Sequence, residues 1–197
     1  RDAVLMSAAD GHVDEDEKAA LLKICSHLGM NAKVVEDLLQ WVVRGYTWMQ
    51  DGYDILNETR GLALLPDVLE TLPAEDRRDL LAILTLVCAA DGELVREEMA
   101  ALEGKMGQAL LHPEVRREIR QMLRQPPDFD ELVEGMNEKT LKLALRDAML
   151  IAASDGGYHD SELKIIQKLA ANSGVDSDTV ERLLKWVEEY WVLLAKG

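Results

Sequence analysis

Apolar residues recur along this chain at intervals of three and four. Leu80, Leu81, Leu84, Val87 and Cys88 form one such run, which places an apolar stripe on one face of a helix. Read together with its breakers, the pattern predicts helices near 2–9, 14–28, 32–56, 62–72, 74–90, 95–111, 113–124, 129–136, 138–154, 160–172 and 177–195. Pro66, Pro73 and Pro113 fall where helices begin, and Pro126-Pro127 marks a break. Alternating runs of Val, Ile and Thr are scarce, which argues against sheets. The expected fold class is all-α, a helical bundle.

The helices repeat. Residues 2–41 align without a gap on residues 147–186 at an offset of 145, with fourteen of forty positions identical. Asp10, Gly11, Glu17, Gly29 and Trp41 match Asp155, Gly156, Glu162, Gly174 and Trp186. A further copy lies between them, with Asp91, Gly92 and Glu98 in the same relation; residues from Asp67 align with those from Glu131 at an offset of 64. Such periodicity marks a supersecondary unit used several times. The fold is therefore expected to consist of repeated helix–Asp-Gly turn–helix units. The second and third repeats are complete, whereas the first keeps only DAVLMSAAD of its long leading helix. This predicts a partial repeat over 1–60, truncated at its front, and a complete domain of two repeats over 61–197. The chain is expected to begin inside a domain, with the join between the two parts in residues 50–61.

The Asp-Gly turn admits two readings. In the structural one, glycine takes the left-handed conformation that ends a helix. The next helix then needs a cap, and Asp14 with Glu17 is spaced as a capping box. In the metal reading, Asp10, Gly11, Val13 and Glu17 have the spacing of the second half of an EF-hand loop. The first half does not fit. Met6 and Ala8, Val87 and Ala89, and Ile151 and Ala153 stand where carboxylates should be. The candidate ligands for a divalent cation, calcium or magnesium, are Asp10, Asp14, Glu17, Asp91, Glu98, Asp155, Asp160 and Glu162. The first loop is the richest, with five carboxylates in eight residues from Asp10 to Glu17; Arg96 weakens the second, and His159 adds a donor to the third.

Composition narrows the chemistry further. The net charge is −15, spread as −5, −6 and −4 over residues 1–66, 67–130 and 131–197. Such a surface repels phosphate backbones, so no nucleic-acid partner is expected; basic proteins or cations suit it. Cys25 and Cys88 lie within apolar helical patterns and read as small buried hydrophobes. No segment approaches the run of about 18 apolar residues that a membrane span requires, so no direct insertion is expected. His12, His27, His112 and His159 are scattered, and no phosphate-binding loop or nucleophile motif occurs. The chain is expected not to be an enzyme. Trp41 and Trp186 are repeat-equivalent and read as core. Trp48 and Trp191 extend those helices beyond the shared segment and are the candidates for a partner-binding or dimer face; the alternative is that the two terminal parts pack on each other there.

The run AADG with a following Glu, at the junction of two helices and repeated in one chain, resembles the TerB-like family. That family includes tellurite-resistance proteins and the N-terminal region of a membrane-anchored co-chaperone. The resemblance covers roughly 67–197, and residues 1–56 look like the back half of another copy. It implies an all-helical, non-enzymatic interaction or scaffold module in a bacterial stress (tellurite or oxyanion) or envelope-associated system. It also implies a cation or partner site at Asp10, Asp91 and Asp155 with Glu17, Glu98 and Glu162. The implied partners are other proteins, membrane-associated ones among them, and a homodimer is admitted. The implied location is the cytoplasm, with the inner face of the membrane as the setting. Two features depart from the family pattern: the extra first repeat, and Tyr158-His159 in place of a small, acidic helix start. No co-chaperone HPD motif is present. The alternative reading is a divalent-cation sensor or buffer.

Overall fold

The computed structural model describes residues 1–8, 12–57 and 69–194. Among these the regular elements are helices: α1 Asp2–Ser7, α2 Glu15–His27, α3 Lys33–Leu56, α4 Ala74–Cys88, α5 Arg96–Gln108, α6 Pro113–Met122, α7 Phe129–Glu134, α8 Glu138–Ala152, α9 Asp160–Asn172 and α10 Ser177–Leu194. Short 3-10 turns cover Leu69–Thr71 and Ala153–Asp155. The helix expected over 62–72 lies mostly outside the described residues; its end is the first of these turns.

The chain divides into two compact units. Unit 1 comprises Arg1–Val68 and Glu188–Gly197, and unit 2 comprises Leu69–Val187. The final turns of α10 thus belong with the N-terminal segment.

In unit 1, Val4, Ala8, Leu21, Cys25, Val35 and Val42 form the core, with Val13, Leu22, Leu38, Leu39, Trp41 and Tyr46 packed around it. The Tyr46 hydroxyl donates to the Ala8 carbonyl. Trp41 Nε1 donates to the Leu193 carbonyl at 2.9 Å. Trp48 is buried and stacks on Tyr190, with ring centroids 4.4 Å apart. Trp191 is half-buried and tilted against the same tyrosine.

In unit 2, α4 and α8 form the centre and make the most extensive helix pairing of the molecule; α6, α7 and α9 also pack on α4, and α9 packs on α8. Every residue from Leu80 to Cys88 is buried. The sequence spacing implies one apolar face, but from Leu80 onward α4 is enclosed on all sides, while Ala74–Asp79 reach solvent. Its Ala82, Ile83, Thr85 and Leu86 are therefore core positions too, and the Thr85 hydroxyl donates to the Ala82 carbonyl at 2.7 Å. Trp186 lies in this core.

The glycine positions follow the repeat. Gly29 and Gly174, aligned in sequence, both have φ of +67°. Each ends its helix in the same way: Met30 N–H donates to the Cys25 carbonyl at 2.9 Å, and Val175 N–H to the Ala170 carbonyl at 3.2 Å. The second repeat carries Leu110 there, at φ +49°, a conformation that costs a residue with a Cβ.

The acidic junction and the family it belongs to

The Asp-Gly turns obey the capping account. Gly92 and Gly156 have φ of +82° and +103°. Asp91 Oδ1 accepts from Glu93 N–H at 2.9 Å, and Asp155 Oδ1 from Gly157 N–H at 3.3 Å. Each aspartate therefore closes its own turn two residues ahead, which gives these positions a reason that the spacing alone did not. Asp10 and Gly11 lie outside the described residues.

The glutamates then cap the following helices. In the first repeat the box is reciprocal: Glu17 N–H donates to Asp14 Oδ1 at 2.8 Å, and Asp14 N–H donates to Glu17 Oε2 at 3.0 Å. In the other repeats the N-cap residues are Val95 and His159, and the glutamate's half persists. Val95 N–H donates to Glu98 Oε2 at 3.2 Å, and His159 N–H to Glu162 Oε2 at 2.7 Å.

Packing of the second repeat on the third changes what these carboxylates are. Glu98 and Glu162 are 4% and 2% exposed and hydrogen-bond each other. Burial pushes the Glu98 carboxyl up to about 7, and the bond to Glu162 and the charges of Glu162 and Asp91 push the same way against the Val95 N–H. Burial also raises Glu162, opposed by the His159 N–H and by the bond from Glu98. Both carboxyls are held up in the same direction, and a proton shared between them relieves the repulsion, because two buried carboxylates in contact cannot both ionise cheaply. Cys88 lies close enough to feel both: burial first, then Glu98 and Glu162, push its thiol well above the ordinary value. That shift keeps Cys88 in the thiol form, and the thiolate is the reactive one.

On the rim of this pair, His159 Nε2 stands 3.8 Å from Asp91 Oδ2 and 3.9 Å from Asp155 Oδ2. One imidazole thus links the turns of two repeats. Of the residues singled out in the sequence, the structure brings together Asp91, Glu98, Asp155 and Glu162. Asp14 and Glu17 cap α2 in unit 1, and Asp160 is exposed at the start of α9. Among the described residues, no group of three or more His, Cys, Asp or Glu side chains is arranged to hold a metal ion.

A second junction escaped sequence reading. Arg146 and Asp147 are fully buried; Arg146 Nε and Nη2 reach Asp147 Oδ1 at 2.8 and 2.7 Å. Lys105 Nζ of the second repeat reaches the same oxygen at 3.2 Å. The only hint is the aligned Arg1-Asp2 pair of the first repeat.

These two helix–turn–helix repeats, cross-braced through the Asp-Gly turns, match a known family. The family model described as "Tellurite resistance protein TerB" matches residues 3–110 and again 80–185. The chain belongs to the TerB family. The two matches overlap over 80–110, so the second repeat serves as the back half of one TerB match and the front half of the next. Among curated relatives, the co-chaperone protein DjlA of Vibrio vulnificus (strain YJ016) is 27% identical over 117 residues, covering 54% of this chain and 41% of that protein. DjlA of Vibrio parahaemolyticus serotype O3:K6 is 26% identical with the same coverage. The chain thus spans about two fifths of the length of the curated relatives it matches. No solved structure matches it. No described helix of this TerB chain is long and apolar enough to cross a membrane.

Proposed function

We propose that this TerB-family chain is a non-enzymatic interaction module, and that the rim formed by Asp91, Asp155 and His159 is where it receives a basic group of a protein partner. The observation that carries the reading is the meeting of two turn carboxylates on one imidazole, at 3.8 and 3.9 Å, over a buried proton-sharing pair. A lysine or arginine side chain entering the rim would meet two Oδ2 atoms that their own turns leave uncommitted. The net charge of −15 steers basic partners toward it. A setting in a bacterial tellurite or oxyanion stress response, or beside the inner face of the membrane next to membrane-associated proteins, suits the family and the co-chaperone relatives.

A second reading has one observation in its favour. The same pair of Oδ2 atoms, from two repeats, would form half of a calcium or magnesium site, with water supplying the rest. One experiment separates the two. The imidazole signals of His159 are followed by NMR while the chain is titrated with an arginine-rich peptide, with calcium, and with magnesium, alongside the Asp91→Asn/Asp155→Asn variant. A shift with peptide that the variant loses supports docking. A saturable shift with metal alone supports the cation reading. Silence to all three ligands removes the rim as a binding site.

A further inference from the structure

The chain carries a net charge of −15, and one helix departs from it. Residues 112–125, which contain α6, hold four arginines and two glutamates. Arg117, Arg120 and Arg124 stand three and four residues apart, so they form one stripe along α6 and the turn that ends it, rising about 10 Å from first to last. All three are exposed, as are Gln121 and Gln125 beside them. The opposite side of the helix is occupied: Ile119 is buried, and α6 packs on α4. The other repeats do not share the stripe. The third carries Glu181, Leu184 and Glu188 at these positions, and the first carries Glu36, Leu39 and Val43. Ile119, by contrast, aligns with Leu183, and both are buried. The inward face of α6 is thus common to the repeats, and its basic outward face is peculiar to the second.

The stripe already grips one carboxylate. Arg120 Nε and Nη2 reach the two oxygens of Glu103 at 2.5 and 2.7 Å, the planar fork that arginine offers a carboxylate. That contact holds the Glu103 carboxyl below its ordinary value. The charges around the stripe are engaged elsewhere. Arg116 Nε donates to the Leu111 carbonyl at 2.9 Å, Arg78 takes Glu118 at 2.6 Å, and Glu114 lies beside His112 at the start of the helix. Arg117 and Arg124, on either side of Arg120, make no side-chain hydrogen bond or ion pair among the described residues.

We propose that Arg117, Arg120 and Arg124 form a docking stripe for a short acidic helix of a protein partner, whose carboxylates recur at the same three-and-four spacing and are gripped as Arg120 grips Glu103. Charge complementarity names the occupant. A duplex or an anionic bilayer extends well past a stripe about 10 Å long, over a surface that is otherwise acidic. Its outlying charges would be repelled there, because neighbouring acidic groups lie within a Debye length of about 8 Å. A short acidic helix meets the stripe and little else. Exposed ion pairs contribute little singly, so the contact is weak and salt-sensitive, and its selectivity lies in the register of three charges. The stripe is opposite in sign to the rim of Asp91, Asp155 and His159, and stands whether or not that rim binds anything.

The probe is a fluorescein-labelled, alanine-rich helical peptide with glutamates at its first, fourth and eighth positions. It is titrated with the intact chain and followed by fluorescence anisotropy at about 50 mM salt, where screening is slight. Binding is expected with a Kd on the order of 100 μM, and is expected to vanish at about 0.5 M salt. Arg117→Glu/Arg124→Glu is expected to weaken it by about tenfold or more, and Arg117→Gln/Arg124→Gln by less. Arg44→Glu/Arg182→Glu changes the net charge equally at exposed positions elsewhere and is expected to shift binding by less than about twofold. Circular dichroism melts of the stripe variants are expected to overlay the wild type, because both side chains are exposed. Several results would each overturn the proposal: no binding at about 1 mM chain, equal loss in the stripe and control variants, or equal binding of a peptide whose glutamates are spaced two apart. Tighter binding to duplex DNA or to phosphatidylserine vesicles than to the peptide would overturn it as well.

Discussion

The first and third repeats share fourteen of forty aligned residues, and their fates differ. In the third, Glu162 is buried against a carboxyl of another repeat, and Arg146-Asp147 is sealed in the core. In the first, Glu17 completes an exposed capping box, and Arg1-Asp2 sits in solvent. The local chemistry written into the repeat is the same, namely a turn, a cap and an amphipathic helix pair. What differs is whether a second repeat covers it. Covering turns a helix cap into a proton-sharing pair, and a surface ion pair into a buried one.

The largest expected consequence lies at the paired Arg-Asp positions. Asp147→Ala removes the buried carboxylate that Arg146 and Lys105 share, and is expected to destabilise unit 2 by about 3–5 kcal/mol. Asp2→Ala, at the aligned exposed position, should change stability by less than about 0.5 kcal/mol. Urea unfolding of both variants measures the contrast, and equal effects would break the comparison.

Next comes pH. The folded-state value of about 7 for Glu98 lies above the ordinary 4.5. The folded chain therefore holds a proton that the unfolded chain releases. That stabilisation is complete below about pH 4.5 and drains away as pH rises through about 7. Between pH 5 and 8 the wild type is expected to lose roughly 2 kcal/mol from this pair. Glu98→Gln cannot ionise and keeps a donor for Glu162, so it should flatten that dependence and be the more stable form at pH 8. Denaturant midpoints across the pH series decide it, and a variant that parallels the wild type would show that the pair does not share a proton.

Smaller effects test the parts common to all repeats. Asp14→Ala removes a cap from α2 and is expected to cost unit 1 about 1 kcal/mol. Leu110→Gly restores the residue type found at the equivalent Gly29 and Gly174. It should stabilise unit 2 by about 0.5 kcal/mol, the relief of a left-handed backbone less the extra freedom of glycine when unfolded. A melting temperature that falls in this variant would mean that the Leu110 side chain supplies packing the aligned glycines do without.

Much of the fold was legible because its signals are local. Three-and-four spacing, Pro73 and Pro113 at helix starts, and the Asp14–Glu17 box each act within one or two turns of chain, and α2 to α6 and α8 to α10 fall close to where they point. The αL glycines were legible for the same reason, and alignment of the repeats extends that reading to Leu110. The site was legible only as a set of residue numbers. That Asp91 and Asp155 meet at His159 depends on two turns 64 residues apart being brought together by the packing of α4 on α8, and no local pattern encodes that distance. Trp48 read as a candidate partner anchor because its sequence neighbours cannot reveal Tyr190, from the far end of the chain, stacked on it. Arg146-Asp147 carries no local signal of burial, because adjacent opposite charges on a helix usually face water.

The sequence by itself determined the helices, their caps, the repeat and the family, since each rests on contacts a few residues apart or on residue identity alone. Tertiary structure decided which carboxylates are capping groups and which are a shared-proton pair, and which ion pair is buried. Those outcomes depend on desolvation, and a group loses its water only when a distant segment arrives to displace it.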